Sequence, residues 1–109
     1  MSVEKITAKA LLKLGISPRT KGYHYLLKAS ELYDASSNFT KSLYPQIAYC
    51  FNVTPSSVER AIRTAIHNGY TNCDSEFAFD VFGNTLQSKY DIPTNTLFIY
   101  ALAEWIRLQ

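Results

Sequence analysis

Two arginines and a glutamate stand close together in the run VERAIR, which covers residues 58–63. Arg60 and Arg63 are three positions apart, so a helix would place them side by side on one face, next to Glu59. A guanidinium group can form paired hydrogen bonds with guanine, and a carboxylate can accept one from the amino group of cytosine. Two arginines on one helix face could therefore contact the bases or phosphates of DNA. The alternative is an ordinary solvated helix face.

The residues around this run predict a helix-turn-helix between positions 47 and 66. Apolar residues recur at helical spacing in two sets, which fit a short helix followed by a second one. Between them, Asn52 tolerates the left-handed backbone of a tight corner, and Thr54 and Pro55 suit the N-cap and first position of the second helix. The second helix of such a unit commonly lies in the DNA major groove. The apolar positions are Ile47, Ala48, Phe51, Val53, Val58, Ala61, Ile62, Ala65 and Ile66.

The same helix carries further polar residues whose roles stay open from the sequence. Ser56 followed three residues later by Glu59 fits a capping box, in which the glutamate bonds back to a backbone N–H. Capping and base contact are therefore equal alternatives for Glu59. Thr64 and His67 lie further along the predicted exposed face, within reach of phosphates, although a plain surface residue is the simpler interpretation of His67.

The hydrophobic pattern predicts an all-α protein, a compact bundle of about six helices that forms a single domain over residues 1–109. The predicted helices cover residues 3–14, 21–35, 44–51, 55–68, 75–82 and 94–108. Gly15, Gly69 and Gly83 are predicted to end the first, fourth and fifth of them. A winged helix is the alternative, but Asn72 and Asp74 leave little room for its hairpin.

Composition limits the classes of protein to which the chain can belong. At 109 residues it can bury a core without disulfides or metal. Cys50 and Cys73 form no C-x-x-C pair, so we interpret them as free thiols of a reducing, cytoplasmic compartment. No stretch approaches the roughly 20 apolar residues of a membrane span, and the N-terminal residues lack the apolar core of a signal peptide. The net charge is +2, and most of the cations lie in the first two-thirds of the chain.

The sequence contains none of the enzyme or metal-binding motifs considered below. His24 and His67 are not arranged as H-E-x-x-H, and the cysteines lack zinc-ligand spacing. The four glycines form no phosphate-binding loop. We therefore expect no catalysis, no cofactor and no metal.

Several short motifs occur in the order and spacing of a known family along nearly the whole chain. They are Lys21-Gly22-Tyr23 with Tyr25-Leu26, Thr40-Lys41 with Leu43-Tyr44-Pro45 and Ile47-Ala48, Phe51-Asn52 with Thr54, Val58-Glu59-Arg60-Ala61-Ile62-Arg63 with Ala65-Ile66, Phe82-Gly83 with Thr85, and Pro93-Thr94-Asn95. In these residues the chain resembles the C-terminal DNA-binding effector domain of the stage-zero sporulation response regulators of endospore-forming Firmicutes. The resemblance implies a fold of six helices with an embedded helix-turn-helix.

The resemblance also implies a ligand and partners. Members of that family bind a short double-stranded DNA box of the type TGTCGAA through the fourth helix, which makes Glu59, Arg60 and Arg63 the base-reading residues. The implied partners are the RNA polymerase sigma subunit and a second copy bound weakly in tandem on DNA, with no membrane. The candidate contacts with the DNA backbone are Lys21, Lys41, Ser56, Ser57, Thr64, His67 and Lys89.

Departures from the family pattern, together with the low net charge and the acidic last third of the chain, motivate a rival hypothesis. Ser57 stands where the family usually has a basic residue, and Asp91 accompanies Lys89 in a loop that is basic in relatives. We also expect no receiver domain, so the chain is either a cut-out domain or a free-standing version. The rival is a protein-interaction module of the same fold, which binds sigma factor or a full-length regulator without useful DNA affinity.

Overall fold

A computed structural model describes residues 2–34, 38–83 and 92–109. Within these ranges the chain forms six α-helices and one π-helical turn, and it contains no strand. The helices are α1 (Val3–Lys13), α2 (Lys21–Leu32), α3 (Tyr44–Phe51), α4 (Pro55–Tyr70), α5 (Ser75–Phe82) and α6 (Asn95–Arg107), and the π-helical turn is Phe39–Leu43. The all-α prediction is confirmed. The hairpin of a winged helix does not occur, because α5 occupies the segment after α4.

Short polar side chains fix the starts of most helices. Five of the six begin with a side-chain oxygen that accepts a backbone N–H of the first turn, which satisfies a donor that has no partner within the helix. These caps are Ser2, Thr20, Thr54, Asp74 and Thr94. The exception is α3, which continues directly from the π-helical turn and carries a proline in its first turn.

The predicted end of the fourth helix is wrong. Gly69 does not stop α4, which continues to Tyr70. A Cβ atom on Gly69 would lie 2.9 Å from the carbonyl oxygen of Leu14 and 3.0 Å from Cγ1 of Ile16. The glycine is therefore needed because the chain after α1 approaches α4 closely, and not because the helix ends there. The predicted end of α2 at residue 35 is also too late, since α2 ends at Leu32.

The core lies between α2, α4 and the helices around them. Its fully buried side chains come from several elements and include Leu11, Leu26, Leu43, Ile47, Val58, Ile62 and Leu102. The crossing of α2 over α4 is especially tight, because a Cβ on Gly22 would lie 2.5 Å from the carbonyl oxygen of Ala61 and 2.5 Å from the Cβ of Ala65. Small residues on both helices thus set the position of α4 relative to α2.

Aromatic contacts join α5 to α6 at the other end of the molecule. The rings of Phe77 and Trp105 meet edge to face with centroids 5.0 Å apart, and those of Phe82 and Phe98 are 5.5 Å apart. Lys13 places its ammonium group 5.1 Å from the centre of the Phe77 ring, which links α1 to this cluster. None of the helices in the described ranges has the length and hydropathy that crossing a membrane requires.

Candidate nucleic-acid interface

The corner between α3 and α4 has the backbone geometry that the sequence predicts. Asn52 ends α3 in the left-handed region, with φ 56° and ψ 50°. The N–H of Val53 returns to the carbonyl of Ala48 at 3.0 Å, which closes the corner. Thr54 then caps α4 by accepting the N–H of Ser57 at 3.2 Å. The helix-turn-helix prediction is confirmed.

The two faces of α4 differ sharply in burial. The inner face is packed into the core through Val58, Ile62, Ala65, Ile66 and Gly69. The outer face carries the exposed side chains of Ser56, Arg60, Arg63, Thr64 and His67, with Glu59 and Ser57 half-buried beside them. The arginines are therefore not part of the core. Their guanidinium groups are available on the face that a second helix of this type presents to DNA.

Glu59 forms an ion pair within the helix and does not cap it. Its Oε1 atom accepts a hydrogen bond from Nη2 of Arg63 at 2.6 Å, with 39% and 55% of the two side chains exposed. The capping-box interpretation is wrong, because the N-cap is Thr54 and Ser56 already lies inside the first turn. The pair holds the Arg63 guanidinium beside the carboxylate on the outer face of α4.

Arg60 faces a groove between α4 and the start of α2. Lys21, Ser57 and Thr64 line the same groove, whose floor is formed by Gly22, Ala61 and Ala65. Within the described residues, neither Lys21 nor Arg60 forms an ion pair. This flank of α4, which we call the Arg60 flank, therefore carries two cations and the N-terminus of a helix, both of which attract phosphate.

Arg63 and His67 face a second groove, between α4, the π-helical turn and the start of α6. We call this side the Arg63 flank. Asn95 lies here, and its Nδ2 atom donates a hydrogen bond to the main-chain carbonyl oxygen of Glu59 at 2.9 Å. Tyr44 lines the groove as well. Burial raises the pKa of its phenol, and hydrogen bonding with Asn95 partly opposes that effect.

A comparison with known protein families identifies the family of this chain. The family model described as the sporulation initiation factor Spo0A C-terminal domain matches residues 7–106. The chain belongs to this family. The matched span contains the helix-turn-helix and both flanks of α4.

Family membership confirms the resemblance seen in the sequence motifs. The Spo0A C-terminal domain is the DNA-binding effector domain of a sporulation regulator, and its family is one of transcription factors. It therefore gives DNA binding as the general activity of this family member.

Lys41, one of the lysines expected near DNA, stands apart from the two flanks. Lys41 lines a different groove, between the π-helical turn and α3, together with Gln46 and Tyr49. Lys89 and Asp91 lie outside the residues that the structure describes.

Cys50 is exposed and Cys73 half-buried, both as free thiols. In the described ranges, no group of three or more His, Cys, Asp or Glu side chains could hold a metal ion.

Sequence reasoning did not single out Asn95 as a functional residue. Asparagine is a poor helix former because its side chain competes for backbone groups. Its position directly after the N-cap Thr94 was the available signal that it serves a specific contact. The identity of the acceptor, the carbonyl of Glu59, could be found only from the folded chain.

Proposed function

We propose that the chain is a sequence-specific transcription regulator that inserts α4 into the major groove of a TGTCGAA-like box in double-stranded DNA. The observation that carries this proposal is the outer face of α4. Arg60 and Arg63 stand exposed there, while the opposite face of the helix is buried. Family membership supports the same conclusion.

In this proposal the base contacts come from three side chains. Arg60 and Arg63 each donate paired hydrogen bonds to a guanine, which discriminates by about 1–3 kcal/mol against a wrong base. Glu59 uses one carboxylate oxygen to hold Arg63, and its other oxygen accepts from a cytosine amino group. A neighbouring guanine and cytosine would thus be read by a pair of side chains that is already assembled.

Phosphate contacts position the helix without reading sequence. Lys21 and the N-terminus of α2 hold one phosphate group on the Arg60 flank, together with the hydroxyl groups of Ser57 and Thr64. Ser56 and His67 extend these contacts along α4. Lys41 is a more peripheral candidate, since it lines a separate groove. Lys89, which lies outside the described residues, stays a candidate from the sequence alone.

The test is a fluorescence-anisotropy titration of the protein against two duplexes, one with TGTCGAA and one with the same bases scrambled. Measurements at about 50 and 200 mM salt span the range over which purely electrostatic binding collapses. We expect binding to the box to be at least about a hundredfold tighter than to the scrambled duplex, a modest ratio for specific DNA binding. Equal affinity for the two duplexes, or no binding at low salt, would refute the proposal.

A second candidate function is supported by the exposed apolar side chains. Phe79 on α5 is 65% exposed and Tyr49 on α3 is 88% exposed. Large exposed side chains of this kind suit contacts with other proteins. The partner would be an RNA polymerase sigma subunit or a full-length regulator. Co-purification with a sigma subunit, without DNA affinity at low salt, would favour this function over the first.

A further inference from the structure

Asn95 connects the start of α6 to the middle of α4 by a bond between side chain and main chain. The hydrogen bond from its Nδ2 atom to the carbonyl oxygen of Glu59 is 2.9 Å long and joins residues 36 positions apart. The acceptor lies within the base-reading segment, because Glu59 directly precedes Arg60 and its side chain holds Arg63.

The acceptor atom makes this bond different from a contact between two side chains. A main-chain carbonyl in a helix cannot move without the helix, so a bond to it restricts both the rotation and the axial position of α4. The same carbonyl accepts the N–H of Arg63 within the helix. On the other side of α4, the tight contact of Gly22 with Ala61 and Ala65 provides a second point of attachment.

We propose that Asn95 is a positioning residue for base reading, which holds α4 at the rotation that presents Arg60 and Arg63 to the base edges. This inference rests on the proposed function. Paired hydrogen bonds to a base require side chains placed within about 0.5 Å and 10–20° of the right geometry. Phosphate contacts fix orientation without sequence information, and flexible lysine side chains tolerate small shifts. Loss of the bond should therefore weaken binding to the box more than binding to scrambled DNA.

The test compares Asn95→Ala with Thr96→Ala. The first removes the donor to Glu59 and also the hydrogen bonding with Tyr44. The second is a matched control in the same turn, whose exposed hydroxyl group bonds only with that of Thr94 in the described structure. For Asn95→Ala we expect the affinity ratio of box to scrambled duplex to fall about two- to tenfold, as loss of the bond to the Glu59 carbonyl implies. Scrambled binding should stay constant, and Thr96→Ala should change neither value.

Amide hydrogen exchange of the DNA-free protein separates positioning from general stability. In Asn95→Ala we expect faster exchange and shifted amide signals over residues 59–63, with α2 unchanged. Unchanged exchange at those residues would overturn the proposal, as would an equal loss of affinity for both duplexes. If the unaltered protein shows no preference for the box, the proposed function fails. In that case, the hydrogen-exchange data alone show whether Asn95 holds α4.

Discussion

The two flanks of α4 each carry an arginine, but the two arginine side chains are held differently. On the Arg63 flank, Glu59 holds the guanidinium at 2.6 Å and Asn95 holds the backbone of the helix. On the Arg60 flank, Arg60 has no ion-pair partner among the described residues and shares its groove with Lys21. In the proposed complex, Arg63 would therefore lose less conformational freedom than Arg60 on binding a base.

The two flanks of α4 also differ in their local charge. The charges of Glu59 and Arg63 cancel locally, while Arg60 and Lys21 add on the other flank. Attraction to phosphate, which dominates nonspecific binding, should therefore be stronger on the Arg60 flank, where we expect it to come mainly from Lys21. The Arg63 flank should contribute to sequence reading more than to overall affinity. Mutations placed on one flank at a time can test this division.

The largest effect is expected from Arg60. We expect Arg60→Ala to weaken binding to the TGTCGAA box by about 1–3 kcal/mol and to weaken binding to scrambled DNA much less. Arg60→Lys is the matched variant, because it keeps the charge but cannot form the paired hydrogen bonds with guanine. It should retain scrambled binding and still lose affinity for the box. Equal losses on both duplexes would mean that Arg60 is only an electrostatic contact.

The next effect concerns the packing that supports the Arg60 flank. In Gly22→Ala, the new Cβ would lie 2.5 Å from the carbonyl oxygen of Ala61, so α2 and α4 must separate. Overpacking costs up to about 3 kcal/mol, and the gain in helix propensity, about 1 kcal/mol, offsets part of it. We therefore expect a net loss of about 1–2 kcal/mol in the free energy of unfolding, measured with urea. The neighbouring exposed substitution Lys21→Ala should lose little stability, and equal stability of the two variants would contradict this close crossing.

Structural features that depend only on residues nearby in the sequence could be predicted from the sequence. The bounds of α3 and α5, the left-handed Asn52 and the Thr54 cap were all predicted correctly, because periodicity and capping are local. Gly69 was misread as a helix end, since its role depends on Leu14 and Ile16, which are distant in the sequence.

The candidate site follows the same rule. The exposed positions of Arg60 and Arg63 follow from helical spacing within α4, so the sequence alone could predict them. The hydrogen bond of Asn95 depends on how α6 docks against α4, and no local pattern contains that information. The separate groove of Lys41 likewise appears only when the π-helical turn is placed against α3.

A smaller effect, on the salt dependence of DNA binding, should distinguish Lys21 from Lys41, which the sequence predicts to have the same role. Each phosphate contact contributes about 0.9 to the slope of log affinity against log salt. Lys21 shares the groove of Arg60, so Lys21→Ala should reduce that slope by about one. Lys41 lines the groove beside Tyr49, so Lys41→Ala should leave the slope unchanged. A comparable reduction in both variants would show that DNA extends over the outer side of α3.

The smallest effect is the coupling of Glu59 to each arginine in the absence of DNA. A double-mutant cycle with Glu59→Gln and Arg63→Gln should give a coupling energy of about 0.3–0.5 kcal/mol in urea unfolding, typical of an exposed pair four residues apart. The matched cycle with Arg60→Gln should give a value near zero, because adjacent residues do not face each other on a helix. Raising the salt concentration should shrink the first coupling and leave the second unchanged. Equal couplings would remove the contrast between the two flanks, since Arg63 would then be no better held than Arg60 before DNA binds.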